Sequence, residues 1–451
     1  MHRIVHIPVE KKHRELMSKL LVALELTSLG IPVVIGHSRA LYANARNLPP
    51  GLMFLKGMNK VQYKITAQLP SAGHKTVACD EEAMGARGPL LVKDTWAEIR
   101  PLMTKVFCQG PEHRDVLMKE RNFSASQLAI TGNPRIDLLR PPFTETWRRQ
   151  AAEIAQENGP FVLVNTDMSA TNSRFHNLEY YRQVLVQIGW LDEDSEEDRR
   201  LLEHHLKHDQ SNMDAVSDFA RGMRAAMPDG KIVLRPHPAE DDRRWRDLAR
   251  ETGNLTVVTD SEPVPWLLAA RGLIHTGCTT GVEAAILGTP SIALITDRED
   301  NPFSEYRLSN AVSHQVTTVD DAVEVARVLL SDKPEAEATA IDGALDAFLD
   351  MDDAAPAFEK IARELEKLLP DTPLDSADTL HRVPPQIDKY LKANFDVATK
   401  AEGFSEPEEI EERIDMLLQS AGRSNWEKPE IRDLNWGIYA LLPNSIGVTG
   451  V

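Results

Sequence analysis

Short apolar runs that end in polar residues recur along most of the chain, separated by stretches with helical periodicity. This alternation constrains the fold more than any other feature. The chain opens with RIVHIPV, passes into HRELMSKLLVALELTSLG and returns to IPVVIGH. In the middle stretch Leu16, Leu20 and Leu24 recur at four-residue steps with Met17 and Leu21 beside them, and Gly30 follows as a C-terminal stop. That is a βαβ unit. The runs GLMFL, KTVACD, KVFCQG and LAITG each end in turn residues as well. Continuous apolar strands of this kind are buried on both faces, as in a parallel sheet covered by helices.

Around residues 140–160, RPPFTETWRRQAAEIAQENGP combines a Pro-rich step, a polar helix and a Gly-Pro breaker, and reads as an interdomain connection. A second α/β series then begins with FVLVNTD, KIVLRPH, NLTVVTD, GLIHTG and PSIALITD. Each run delivers polar residues at its C-terminal end, the edge at which open α/β sheets bind ligands. VQIGWLDEDSEEDRRLLEHHLKHDQ reads as a charged helical insertion. From about residue 335 the strand signals stop, and AFEKIARELEKLL and PEEIEERIDMLLQSAG read as helices. The apolar end carries Trp436, Tyr439 and Leu441, which are expected to dock on the body. The expected division is therefore 1–145, 146–335 and a helical extension over 336–451.

A chain of 451 residues exceeds what one core usually serves, in keeping with two domains and an appendage. Sixty-nine acidic residues against 51 Lys and Arg give a formal charge of −18, which argues against a nucleic-acid partner where no basic patch compensates. Cys79, Cys108 and Cys278 lie far apart without a CxxC pair, so neither a disulfide framework nor a cysteine-based zinc site is expected, and a reducing cytoplasm fits. The opening apolar run is too short for a signal peptide, and no window reaches the ~18 apolar residues needed to span a bilayer. Any membrane contact is expected to be peripheral.

Two stretches of the second series point to an anionic ligand. In IHTGCTTGVEAAILGTP, Thr279, Thr280 and Gly281 stand where a strand turns into a helix, so their N–H groups are placed to take a phosphate, and Gly281 allows close approach. Glu283, inside the helix, is within reach of a ribose hydroxyl. The alternative is an ordinary N-cap, with Thr before an acidic first turn. In RPHPAEDD, Pro236 and Pro238 stiffen the loop around His237, which together with Arg235 suits stabilisation of a departing phosphate. The other reading of His237 is a loop histidine among Glu240, Asp241 and Asp242.

The first series offers Asp80, Glu81 and Glu82 at a strand tip, where crowded carboxylates suit a general base or nucleophile, or else form a solvated acidic turn. In TGNPRIDLLRPP, Asn133 and Pro134 make a turn, Arg135 is placed for a phosphate or carboxylate contact, and Asp137 for orienting it; the pair equally suits pinning a hinge. Asn165, Thr166 and Asp167 tip the first strand of the second series and would line the same cleft. The D-x-D in LDEDSEEDRR lies in a charge run, and His204 and His208 lack an acidic third ligand at recognisable spacing, so no metal is expected.

RPHP followed by HTGCTTGVEAAILGTPSIAL and preceded by TGNPRIDLL resembles bacterial surface-carbohydrate biosynthesis proteins of GT-B type. The order of motifs is similar to CDP-glycerol glycerophosphotransferases and to capsule Kdo and sialic acid transferases, and covers about residues 1–335. The resemblance implies two facing Rossmann-like domains with parallel sheets, an acceptor-side domain over 1–145 and a nucleotide-sugar domain over 146–335. It implies that His237 and Pro238 contact the nucleotide phosphate, assisted by Thr279 and Thr280. Glu81 and Glu82 match the family's acidic pair, but Ala83 stands where the family has glycine, which leaves the base open among Asp80, Glu81 and Glu82.

The expected activity is that of a cytoplasmic glycosyltransferase working without metal or cofactor, at most touching the inner face of the inner membrane. It would move Kdo or another nonulosonic acid from a CMP donor to a surface-polysaccharide or lipid-linked glycan acceptor. A UDP-sugar 2-epimerase or CDP-alditol phosphotransferase, and a non-catalytic scaffold of a glycan assembly complex, are the rival expectations.

Overall fold

A computed structural model describes residues 1–93, 95–174, 178–259, 262–296, 307–331, 345–352, 354–372, 374, 380, 406–434 and 437–444, without the side chains of Glu82, Pro89 and Ile188. The chain divides into two compact units. One comprises Met1–Glu81, Thr95–Thr146 and Asp346–Val451, the other Glu82–Asp94 and Trp147–Leu345.

The first unit begins with strands β1 (Val5–Val9), β2 (Val33–His37), β3 (Leu52–Leu55), β4 (Lys75–Cys79), β5 (Met103–Cys108) and β6 (Leu128–Ile130). They pair in parallel in the order β2-β1-β3-β4-β5-β6. β1, β2 and β3 are buried along their whole length, which is why they read as unbroken apolar runs. Helix Lys12–Ser28 buries Leu16, Leu20 and Leu24 as its periodicity requires. Its polar positions are buried too, with Lys19 2% and Glu25 6% exposed. Glu25 is covered from far downstream, because helices Ala357–Leu368 and Pro407–Ala421 pack on this helix, whereas Lys19 is covered by Glu81 and Phe54. Trp426 Nε1 donates to Glu25 Oε2 at 2.8 Å, and the Arg423 guanidinium lies 4.9 Å from the Phe358 ring.

The second unit carries β7 (Phe161–Asn165), β8 (Lys231–Arg235), β9 (Leu255–Val257), β10 (Gly272–His275), β11 (Ser291–Leu294) and β12 (His314–Val316). All are parallel, in the order β12-β11-β10-β7-β8-β9. The chain therefore winds to one side through β8 and β9, then returns and winds to the other through β10. β7 and β10 flank the point of reversal, the place at which open α/β sheets bind ligands beyond the carboxyl ends of the strands. The expected insertion, residues 186–210, leads into a helix that continues past it into the core. Helix Glu196–Ala226 runs for 31 residues, and Met213, Val216, Phe219, Ala220 and Met223 in its second half lie in the hydrophobic cluster against the sheet. Its charged first half hid a crossover helix of the β7-to-β8 connection.

The region after residue 336 is not purely helical. The chain returns to the first sheet as β13 (Glu430–Asp433) and β14 (Ile438–Leu442), an antiparallel pair whose second strand runs antiparallel along β2. Tyr439 and Leu441 are buried in this strand; Trp436 lies outside the described residues. Polar and turn residues interrupt the run, so its strand character was masked in the sequence. Gly36 of β2 shows why the join is tight, since a Cβ there would stand 2.6 Å from Gly437 O and 2.9 Å from Ile438 Cα. Among the described residues, no helix is long and apolar enough to cross a membrane.

We expect Gly36→Ala to destabilise the protein by about 1–3 kcal/mol, as overpacking against a fixed backbone does. Urea unfolding measures the loss. Limited proteolysis should then cut near residues 422–430 at protease levels that leave the parent intact.

Candidate functional site

The carboxyl edge of the second unit's sheet gathers the polar residues that its strands deliver. Asn165 is in register with Arg235 on one side and His275 on the other. Val162, Val164, Ile232 and Leu234 pack into one face of the sheet, and Leu163, Val233 and Leu273 into the other with Ala284. Strand alternation therefore places Asn165 and Arg235 on the face covered by helix Thr280–Leu287. Burial lowers the Arg235 pKa to about 10, against the attraction of Glu283, Glu262 and Cys278, so the guanidinium stays charged at neutral pH.

At the start of that helix Thr279 makes no side-chain cap. The N–H groups of Gly281, Val282 and Glu283 turn back onto the Cys278 and Thr279 carbonyls at 3.1, 3.0 and 3.4 Å. Those of Thr279 and Thr280 have no backbone acceptor among the described residues. Thr280 Oγ1 lies 2.7 Å from Cys278 Sγ. The expected reason for Gly281 needs correction. A Cβ there would stand 2.5 Å from His275 Nε2 and 2.9 Å from Ser309 Cβ, so packing of a buried histidine, not ligand approach, demands glycine. Gly277, at φ +110°, gives way in the same manner to Arg307, whose Nη1 donates to the Gly277 carbonyl at 3.2 Å.

The loop after β8 is held by one carboxylate. Glu240 is 6% exposed and accepts from Thr166 Oγ1 at 2.7 Å, Met168 N at 3.0 Å, His237 N at 3.2 Å, Asn172 Nδ2 at 3.3 Å and Trp245 Nε1 at 3.0 Å. It thus ties the β7 and β8 loops to the helix Arg243–Thr252. Arg174 N donates to the Ala239 carbonyl and Asp241 N to that of Asn172, closing the seam. His237 is fixed on this frame with Nδ1 accepting from Ala239 N at 3.2 Å, so a neutral ring carries its proton on Nε2 and presents a donor. Pro238 is exposed beside it, its carbonyl accepting from Arg174 Nη1 at 3.3 Å.

Sequence reasoning missed Asp209. It lies on helix Glu196–Ala226, is 2% exposed, and accepts from Ala170 N at 2.9 Å, giving the β7 loop a second anchor. Burial and the neighbouring Asp167 and Glu240 push its pKa up to about 8, against the pull of Ala170 N and Arg307. No local pattern marked it, because its importance comes from chain segments that meet only in the fold. Residues 82–94 belong to this unit as well. Gly85 abuts Thr279, Ala86 bridges to Arg307, and Lys93 Nζ stands 3.4 Å over the Trp190 ring.

The remaining candidates belong to the first unit. Glu81 is committed to a buried ion pair, its Oε1 2.5 Å from Lys19 Nζ, and Lys19 lies 4.3 Å over the Phe54 ring. Removing either partner of such a pair leaves the other charge buried and uncompensated. Asp80 is buried at the tip of β4, and the Glu82 side chain lies outside the described residues. Asn133 caps the short helix Pro134–Asp137 by accepting from Arg135 N at 3.0 Å. Arg135 is buried, but Asp137 does not orient it. The Asp137 carboxylate accepts from Ala357 N at 3.1 Å and Phe358 N at 2.9 Å, capping helix Ala357–Leu368, and burial raises its pKa to about 7. Among the described residues no group of three or more His, Cys, Asp and Glu is placed to hold a metal ion.

No protein-family model matches this sequence, and no curated protein matches it. Among solved structures, a candidate UDP-N-acetylglucosamine 2-epimerase from Listeria monocytogenes matches with a TM-score of 0.50 and 14% identity, over 83% of this chain and 99% of that one. The UDP-GlcNAc 2-epimerase of Methanocaldococcus jannaschii, in complex with UDP-GlcNAc and UDP, gives 0.49 and 12% over 81% and 99%. The wall teichoic acid polymerase TagF gives 0.40 and 12% over 73% and 93%. What the first of these likenesses establishes is the fold: two Rossmann-like units of GT-B type.

Asp209 generates a pH prediction. A carboxyl whose pKa is raised from 3.8 to about 8 on folding binds more protons in the native than in the unfolded state, so its contribution to stability falls as pH rises between those values. Urea unfolding at pH 5 and pH 8 should show the parent losing stability relative to Asp209→Asn, which keeps an oxygen for Ala170 N and lacks the titration.

Proposed function

We propose that the chain is an enzyme acting on a nucleotide-activated sugar, whose phosphate is received at the carboxyl edge of the second unit's sheet. One observation carries this reading. Arg235 and the N-terminus of helix Thr280–Leu287 lie on the same face at the strand reversal, a cation and a set of N–H donors flanking β7. His237, with its proton on Nε2, would add a donor to the departing phosphate. Together they would supply the charge stabilisation that cleavage of an anomeric C–O bond requires.

The likeness to UDP-GlcNAc 2-epimerases favours a uridine diphosphate leaving group and epimerisation. The motif resemblance favours transfer from a CMP-linked nonulosonic acid, or phosphotransfer from a CDP-alditol, to a surface-glycan or lipid-linked acceptor. We take the nucleotide-diphosphate form as the leading one and the CMP form as its rival. The first unit, with Asn133 and Arg135 at the tip of β6, is the proposed acceptor side.

Calorimetric titration with UDP, CDP and CMP tests the class. Binding of one of them at micromolar strength is expected, and failure of all three supports the scaffold reading instead. Incubation of UDP-GlcNAc without acceptor separates the activities, since free UDP and a 2-epimer appear only with an epimerase. His237→Ala should lower kcat by roughly 10²–10³-fold while leaving the unfolding midpoint near that of the parent. Full turnover by that variant removes His237 from the mechanism.

A further inference from the structure

At the strand reversal stands a side chain whose hydrogen-bonding groups the described protein leaves unmet. Asn165 is 3% exposed, and neither its Nδ2 nor its Oδ1 has a partner among the described residues. Its backbone carbonyl is engaged, with Cys278 Sγ 3.8 Å away. Buried amides are almost always satisfied, and one that is open at both ends in a ligand crevice is shaped for something that enters it. The open ends also specify what enters. A phosphate oxygen accepts only, so it would answer Nδ2 and leave Oδ1 unpaired. A hydroxyl donates and accepts, and answers both. The surrounding charge agrees, because Glu283, 3% exposed, lies close enough to Arg235 to attract its guanidinium and so offsets that cation.

We infer that Asn165 is a specificity-determining residue that reads a hydroxyl-bearing part of the substrate as donor and acceptor together, leaving the phosphate to Arg235 and the helix start. The inference rests on the nucleotide-sugar reading above. Two sources present this chemistry, the ribose and the donor sugar. A trapped water would also satisfy both atoms, and would make Asn165 indifferent to ligand.

The test is calorimetric titration of the parent, Asn165→Leu and Asn165→Asp with UDP, 2′-deoxy-UDP, UDP-GlcNAc and inorganic pyrophosphate, alongside thermal unfolding without ligand. We expect Asn165→Leu to weaken the hydroxyl-bearing ligand on the order of ten- to a hundredfold and to leave pyrophosphate binding unchanged. If the penalty disappears for 2′-deoxy-UDP the partner is the ribose; if it appears only for UDP-GlcNAc the partner is the sugar. Asn165→Asp keeps the acceptor, so a hydroxyl can turn its proton toward it and the loss is smaller than for leucine. Unliganded Asn165→Leu should melt no lower than the parent, because an apolar side chain replaces two unpaired polar atoms. Equal weakening of pyrophosphate and nucleotide by leucine, unchanged affinity for every ligand, or a lowered melting point with unchanged affinity each overturns the assignment. Absence of any nucleotide binding by the parent overturns the underlying reading as well, and so is told apart from failure of the Asn165 role alone.

Discussion

A buried carboxylate must find donors for nearly all its lone pairs, because each one left unmet costs the folded state its solvation. Glu240 meets that demand with a threonine hydroxyl and a backbone N–H from the loop after β7, a backbone N–H from its own loop, an asparagine amide and the indole of Trp245. The two loops that rim the candidate site thus owe their shape to one side chain. His237 inherits its ring orientation from the same frame, and Asp209 gives the β7 loop a second anchor. Rigid positioning of donors before a ligand arrives is what electrostatic stabilisation of a leaving group requires.

Much of the second unit was legible in the sequence because each strand is a short apolar run that stops abruptly at polar residues. Asn165, Arg235 and Thr279 could be assigned to strand ends on that basis alone. What could not be read was partnership. Glu240 looked like one acid among three after RPHP, and nothing local marked it as the member that turns inward. Glu81 and Asp137 show the converse. Both read as site carboxylates in the sequence, yet Lys19 pairs with one and the other caps the helix Ala357–Leu368, 220 and 221 positions downstream.

The same limit explains the helix Lys12–Ser28. Periodicity gave its buried leucines, but it implied a solvated opposite face. That face is covered in part by residues more than three hundred positions away, which convert Glu25 from a surface charge into a buried partner, while Lys19 is claimed by Glu81 and Phe54. Gly281 teaches a related lesson, since a glycine at a helix start invites a ligand-based explanation while a neighbouring histidine ring suffices.

The way β14 closes the first sheet has a consequence for biogenesis. Among the described residues β2 is paired on its outer side by residues 438–441, which leave the ribosome after the entire second unit. Until then its backbone is an open template for wrong strand pairing, so the nascent chain carries an aggregation-prone edge throughout synthesis of the unit that follows.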